Sequence, residues 1–340
     1  MAVYNERPYL EKAVRSIVDQ TFDDFEFIIV NDGSTDGSKA VLDWFGQNDD
    51  RIRLVHQENR GLIASLNRGL DMARGEYIAR MDGDDISHPE RFERQVRFLE
   101  KNPEIGILGT QADIIDADGN VRKDWNWSLP TNPDVVAWRL LFSTCLHHPT
   151  VMMRHALLER LGGYAEWARH IEDRELWARA VLETRLTNLP DALFKFRRHQ
   201  GSITIKKREE QIRRCTEAVA ALHRAILGPS VDRQIAGFLV WMDKRGIKKA
   251  TEETGARDFS SVYEHILSLH RVCTRRLFAE EANIQVQRKT LRKLDNVASQ
   301  AIRAEGLSRG AFLKLRSWFI LSPGDVFPLM WNVLRSRLSL

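Results

Sequence analysis

At 340 residues, 43% apolar and 29% charged, the chain has the make-up of a globular protein with about one to three domains, not of a disordered or fibrous one. No apolar run approaches the ~20 residues of a membrane-spanning helix, Glu6 and Arg7 interrupt the first apolar residues so that no secretory leader is expected, and Cys145, Cys215 and Cys273 are too few and too scattered for a disulfide framework or a zinc pattern. Reduced thiols of a cytoplasmic chain are therefore expected. The net charge of +4 is unevenly spread: residues 1–200 hold 26 Lys/Arg and 33 Asp/Glu, a net of −7, and residues 201–340 hold 25 and 14, a net of +11, which points to two units with different partners.

In chain order, "MAVY" (1–4) reads as the end of a strand; only a few residues precede the polar loop, so either the start is truncated or mis-assigned or the strand is abnormally short. "EFIIV" (26–30) is a strand ending in the turn-formers Asn31, Asp32, Gly33 and Ser34. "DGSKAVLDWFGQ" (36–47) reads as a helix and "RIRLVHQ" (51–57) as a strand. "GLIASLNRGLDMA" (61–73) is an amphipathic helix with Leu62, Leu66, Leu70 and Ala73 near one face. "GEYIARMD" (75–82) is a strand, and "PERFERQVRFLEKN" (89–102) a helix with Pro89 in its first turn and Phe92, Val96 and Leu99 on one stripe. This rhythm predicts an α/β sheet with helices on its faces. From about Ile205 helical patterns dominate, at 208–227, 231–246 and 260–305, with no convincing strand and no internal repeat. Two domains are expected, 1–204 and a basic helical extension over 205–340.

Ligands of open α/β sheets bind beyond the carboxyl ends of the strands. That edge gathers Tyr4, Asn5 and Glu6, "NDGSTDG" (31–37) and "MDGDD" (81–85). Asp82 and Asp84, two apart in extended backbone, point the same way. The cluster with Asp85 reads either as a site for Mg²⁺ or Mn²⁺, hard cations that take carboxylate oxygens, or as an acidic turn before the helix at Pro89. Calcium loops are excluded: residues 32–43 follow a strand, and residues 82–93 carry Ile86 and Ser87 where a ligand and the turn glycine belong. Asp32 could accept from a ring N–H of a base, or belong to a plain strand–helix turn capped by Ser34 or Asp36. No G-x-G-x-x-G supports a dinucleotide fold. In "HIEDRELWARA" (170–180), Glu172 and Asp173 are either first-turn acids favoured by the helix dipole or include a carboxylate general base. In "FRRHQGSIT" (196–204), His199 could join a metal shell or meet a phosphate, as could Arg197 and Arg198, or be structural.

Taken together, "AVYNERPYLEKAVRSIVDQTFDDFEFIIVNDGSTDGS", "ENRGLIASLNRGLDMARGEYIARMDGDD", "LGGYAEWARHIEDRELWARA" and "FRRHQGSIT" resemble the family 2 glycosyltransferases over residues 1–204. The resemblance implies a GT-A fold, a Rossmann-like mixed sheet flanked by helices, here followed by a C-terminal α-helical extension. It implies inverting transfer from a UDP-, GDP- or dTDP-linked sugar to a saccharide or lipid-linked acceptor, in cell-surface polysaccharide synthesis. By that resemblance Val3, Tyr4 and Glu6 line the nucleoside pocket, Asp32 meets the base, and Arg60 lies near the donor. Asp82 and Asp84 match a D-x-D motif around Gly83, with Asp82 towards the donor, and Asp84 and His199 at a Mg²⁺ or Mn²⁺ ion. Asp173 matches the catalytic base, and Glu172, Gly163, Tyr164 and Trp177 the acceptor side. The chain departs from the family in lacking almost all of the apolar strand that precedes "VYNE". A sugar-phosphate nucleotidyltransferase would need a glycine-rich phosphate loop with a basic residue near its first strand, which "VYNERPYL" lacks. A truncated or inactive relative that only binds its ligand is the non-enzyme alternative.

The last stretch, 309–340, mixes Phe312, Trp318, Phe319 and Trp331 with Arg309, Lys314, Arg316, Arg335 and Arg337. It reads either as an amphipathic segment on an anionic membrane surface, peripheral to the inner face, or as a helix docked on the catalytic domain. No nucleic-acid-binding motif accompanies the charge.

Overall fold

The computed structural model describes residues 1–124, 128–199, 208–256, 258–277 and 283–305. The stretch 309–340 and the end of "FRRHQGSIT" lie outside these residues. The chain divides into two compact units, one of residues 1–140 and 144–215, the other of 141–143 with the chain from Thr216 on.

The first unit is mixed α/β, as expected. Strands β1 (Ala2–Val3), β2 (Phe27–Asp32) and β3 (Ile52–Gln57) form a parallel sheet in that order. Strands β4 (Tyr77–Ala79), β5 (Ile86–Ser87), β6 (Ile105–Ile115), β7 (Met152–Arg154) and β8 (Arg185–Arg197) form a second sheet, ordered β4-β7-β6-β8-β5. In it β6 and β8 are parallel, and the other pairs antiparallel. The helices are α1 (Arg7–Val18), α2 (Ser38–Asn48), α3 (Leu62–Met72), α4 (Arg91–Lys101), α5 (Pro133–Leu140), α6 (His155–Leu161) and α7 (Glu172–Ala180). Leu10, Ala13, Val14 and Ile17 recur on one face of α1 and are fully buried, with Ile29, Leu42, Leu99 and Leu108 in the same core. The strand expected over 75–82 is only three residues of β4, because the chain leaves the sheet after Ala79 to form the acidic loop.

β1 spans two residues. Val30 N–H donates to Met1 O at 2.9 Å, and β1 runs beside only the second half of β2. Between the first half of β2 and β4 lies a cavity of about 700 Å³, lined by Phe25, Phe27, Ile28, Leu66, Tyr77 and Met153 among others. Charged residues, among them Glu26, Arg74 and Arg80, also line it, and β4 is the end strand of its sheet.

The second unit is helical. Its boundary falls within α8 (Arg208–Leu227), and α9 (Arg233–Arg245), α10 (Ile247–Thr254), α11 (Phe259–Arg276) and α12 (Asn283–Glu305) follow. The single helical run expected over 260–305 is thus two helices. Phe238, Leu239, Tyr263, Ile266, Leu294 and Val297 are buried there. His223 Nε2 lies 2.8 Å from Leu141 O, so it must carry the proton, and His223 Nδ1 then accepts from His265 Nε2 at 2.9 Å. Burial pushes both His265 and His270 down to about 4. Among the described residues no helix is long and apolar enough to cross a membrane.

One outcome follows for stability. His265 and His270 are neutral when folded and protonate near 6.5 when unfolded. The unfolded chain therefore binds more protons between pH 6.5 and about 4, and stability is lost as pH falls through that window. Denaturant midpoints measured across it should fall, less steeply in His265→Gln.

Candidate active site

The acidic loop after β4 brings three carboxylates together. Oxygens of Asp82, Asp84 and Asp85 all lie within 4.8 Å of one another. Such crowding needs compensating charge. Arg80, 6% exposed at the end of β4, is ion-paired with Asp82. His199 Nε2 meets Asp84 Oδ2 at 3.1 Å. Asp85 is 1% exposed, and its Oδ1 accepts from Arg197 N–H at 2.7 Å, while Oδ2 has no partner. Arg197 also donates from Nε to Asp84 O at 2.7 Å and from Nη1 to Asp116 O and Ala117 O at 2.9 and 3.0 Å. It thereby ties the end of β8 to the loop. Burial, with the neighbouring acids, pushes the carboxyls of Asp82 and Asp85 upwards despite Arg80. Converging hard oxygens, one of them buried and unpartnered, fit a divalent cation such as Mg²⁺ or Mn²⁺.

The neighbouring loops are fastened to this one. Glu6 is pushed up to about 8 by burial and by Asp84 and Asp82. A Cβ built at Gly83 would lie 3.2 Å from Glu6 Cγ, a tight approach that a larger residue would meet by shifting Glu6. Asn5 has φ 58°; its N–H donates to Ser34 Oγ at 3.1 Å, and its Oδ1 accepts from Thr35 N–H at 2.8 Å. Asp36 accepts from Arg7 N–H at 2.9 Å at the start of α1. The ring of Tyr9 packs 5.1 Å from that of His199 and under the Arg197 guanidinium at 4.6 Å.

The expected donor residues differ in exposure and in what already holds them. Asp32 is 3% exposed, and its carboxylate accepts from Gln57 Nε2 at 2.7 Å and from Arg60 and Gly61 N–H at 2.8 Å each. It acts as an external cap for α3, whose N-cap residue Gly61 has no side chain to offer. Arg60 is held through its backbone while the side chain is exposed. Val3, 1% exposed, belongs to the core, whereas Tyr4 is 50% exposed at the loop edge.

On the other side α7 opens with Glu172 and Asp173. Glu172, 9% exposed, is pushed up to about 7 by burial and by Asp173, with Arg80 opposing and Asp82 adding to the rise. The two acidic motifs, 90 residues apart in sequence, therefore share one electrostatic neighbourhood around Arg80. His148 Nε2 meets Tyr164 Oη at 2.8 Å, and the His148 ring packs edge-on against Trp177 at 6.0 Å. Tyr164 and Trp177 are 3% and 0% exposed, so they form walls and not an open face. The loop before Tyr164 is clamped by Asn67 of α3: Tyr164 N–H donates to Asn67 Oδ1 at 2.9 Å, and Asn67 Nδ2 donates to Tyr164 O at 2.8 Å. Gly163 has φ 69°, and a Cβ there would lie 2.8 Å from Asn67 Oδ1. Arg179 Nη2 holds Gly163 O at 2.8 Å from the α7 side. Sequence reasoning missed Arg80, Asn67 and His148. A charged residue inside the apolar lead-in "YIARM" was the available signal for Arg80.

The model of glycosyl transferase family 2 matches residues 1–162. An uncharacterized glycosyltransferase of Haemophilus influenzae is 32% identical over 219 residues, 62% of this chain and 68% of its own length. The putative glycosyltransferase EpsE of Bacillus subtilis is 37% identical over 213 residues, 61% of this chain and 74% of its own. The O-antigen biosynthesis glycosyltransferase WbnJ of Escherichia coli is 31% identical over 206 residues, covering 59% and 79%. Among solved structures, S. aureus TarS residues 1–349 superposes with a TM-score of 0.56 at 17% identity, over 92% of this chain and 88% of that one, which speaks for the fold alone.

The Asn67 clamp is directly testable. Asn67→Asp keeps an acceptor for Tyr164 N–H but sets a carboxylate against Tyr164 O. It is expected to cost about 1–3 kcal/mol, read as a shifted urea midpoint at unchanged slope. An unaltered midpoint would show that the clamp adds nothing.

Proposed function

We propose that this chain, which belongs to glycosyltransferase family 2, moves a sugar from a UDP-, GDP- or dTDP-linked donor to a hydroxyl of a saccharide or lipid-linked acceptor, with inversion. The observation that carries this reading is the meeting of the Asp82–Asp84–Asp85 cluster with the Glu172–Asp173 pair around the buried Arg80. The cluster suits the donor's diphosphate side, and the pair at the head of α7 suits the hydroxyl that is activated.

Asp84 and His199, with the unpartnered oxygen of Asp85, would hold a Mg²⁺ or Mn²⁺ ion. When bound, that ion supplies positive charge against the leaving diphosphate. Asp173 takes the proton from the acceptor hydroxyl as its oxygen attacks the anomeric carbon opposite the leaving group. One C–O bond forms, the C–O bond to the diphosphate breaks, and the configuration inverts. Glu172, pushed up to about 7 by burial and by Asp173, stands beside it at the head of α7. Arg80 opposes the protonation of Asp82 that burial favours and pairs with it in the loop. Tyr4, exposed at the edge beside Glu6, is the surface offered to the base.

Cell-surface polysaccharide synthesis is the setting this reading favours, in line with the name of the Escherichia coli relative. The basic aromatic stretch 309–340 is assigned to an anionic membrane surface on the cytoplasmic side, where a lipid-linked acceptor would be met.

Asp173→Asn is expected to lower transfer by about 10²–10⁴-fold, the usual worth of a general base, and to leave nucleotide binding with Mn²⁺ within about twofold. Asp84→Asn should instead weaken Mn²⁺-dependent nucleotide binding in calorimetry. Turnover retained in Asp173→Asn would remove the base from this account.

A further inference from the structure

The first turn of α7 holds a charge that packing does not account for. Arg174, next to Asp173, is 4% exposed, and its Nε, Nη1 and Nη2 are all buried without a hydrogen-bond partner. Two other buried arginines of this unit also keep unpartnered nitrogens, but each has one engagement: Arg80 pairs with Asp82, and Arg91 donates to Pro149 O at 2.9 Å, while Arg197 holds three carbonyls. Only the backbone N–H of Arg174 is engaged, with Asp173 Oδ1 at 2.7 Å. One turn further on, Trp177 is 0% exposed, and its Nε1 also has no partner. Residues i and i+3 are neighbours on a helix surface, so four nitrogen donors without acceptors belong to the opening turns of the helix that also carries Asp173.

This arrangement is unfavourable as pure structure. A buried guanidinium without a counter-charge is strongly destabilising, each unmet donor adds to the cost, and a cation in a helix's first turn opposes the helix dipole. Stability given up in this way marks a site that a ligand completes. The planar fork of arginine matches the paired oxygens of phosphate or carboxylate. A guanidinium with no bonds to break can swing to meet them.

We propose that Arg174, assisted by Trp177 Nε1, binds an anionic oxygen group, phosphate or carboxylate, carried by the acceptor next to the hydroxyl that receives the sugar. The proposal rests on the glycosyltransferase reading above for its placement on the acceptor side. It names the acceptor class, a saccharide or polyol bearing phosphate or carboxylate groups.

The test uses the full chain with Arg174→Met and Arg174→Lys. Calorimetry measures glucose 6-phosphate, glucuronate, glucose and inorganic phosphate, and separately UDP, GDP and dTDP with Mn²⁺. The expected result is that Arg174→Met raises Tm and weakens binding of glucose 6-phosphate or glucuronate by about tenfold or more. Arg174→Lys should retain part of that binding, glucose should bind no variant, and nucleotide affinity with Mn²⁺ should stay within about twofold. Tighter binding of glucose 6-phosphate than of glucuronate assigns phosphate, and the reverse assigns carboxylate. The proposal is overturned by anion binding that Arg174→Met leaves intact, by a lowered Tm in that variant, or by an equal loss of nucleotide binding, which would move Arg174 to the donor side. If the wild type binds no nucleotide with Mn²⁺ yet binds the sugar anion through Arg174, the donor reading fails and this site stands.

Discussion

The buried ion pair between Arg80 and Asp82 is the constraint on which the site depends. A carboxylate crowded by two others and shut away from water would give up its charge by taking a proton. A guanidinium in the same enclosure resists that outcome, and it sits there because β4 is brief and its last turn carries Arg80 inward. The same charge acts on Glu172 and Tyr164 across the unit, so one side chain sets the potential felt by both acidic motifs. Paired buried charges of this kind contribute little net stability. Their value here is in fixing where negative charge stays and where protons are tolerated.

Around that pair the loops are joined by backbone bonds more than by side-chain packing. Asp32, Asp36, Asn5 and Asn67 each use a short polar side chain to hold the main chain of a different segment. Short amides and carboxylates suit this because they match unpaired N–H and C=O groups at helix starts and turns. The result is a rigid rim at the carboxyl ends of the strands, built by residues whose own functional groups are consumed in building it. Arg197 performs the corresponding task for the acidic loop, with one guanidinium and one N–H spread over Asp84, Asp85, Asp116 and Ala117.

Much of this was legible in the sequence, and the remainder has physical reasons for being hidden. The helices over 61–73 and 89–102 and the strands at 26–30 and 51–57 carried clear periodicity, and the acid motifs announced themselves by spacing. The long strands β6 and β8 did not, because three register shifts along their pairing break the alternation that marks a strand. Asp32 stayed open between a ligand and a plain turn because a carboxylate after a strand looks the same in either role; the structure adds its bonds to the start of α3. Asp85 appeared redundant beside Asp82 and Asp84, yet its contact with Arg197, 112 residues away, makes it the link to β8. Arg174 and Trp177 could not be singled out from sequence, since a polar atom's lack of partners exists only in three dimensions.

The Asn67 clamp has a consequence for how such a site can diversify. It grips the peptide groups of position 164 and not its side chain. The main-chain grip therefore does not itself depend on the side chain at 164. That side chain is held separately, by Tyr164 Oη against His148 Nε2 at 2.8 Å, and Gly163 must stay small and left-handed. A change at position 164 would thus release the His148 contact while leaving the Asn67 grip in place.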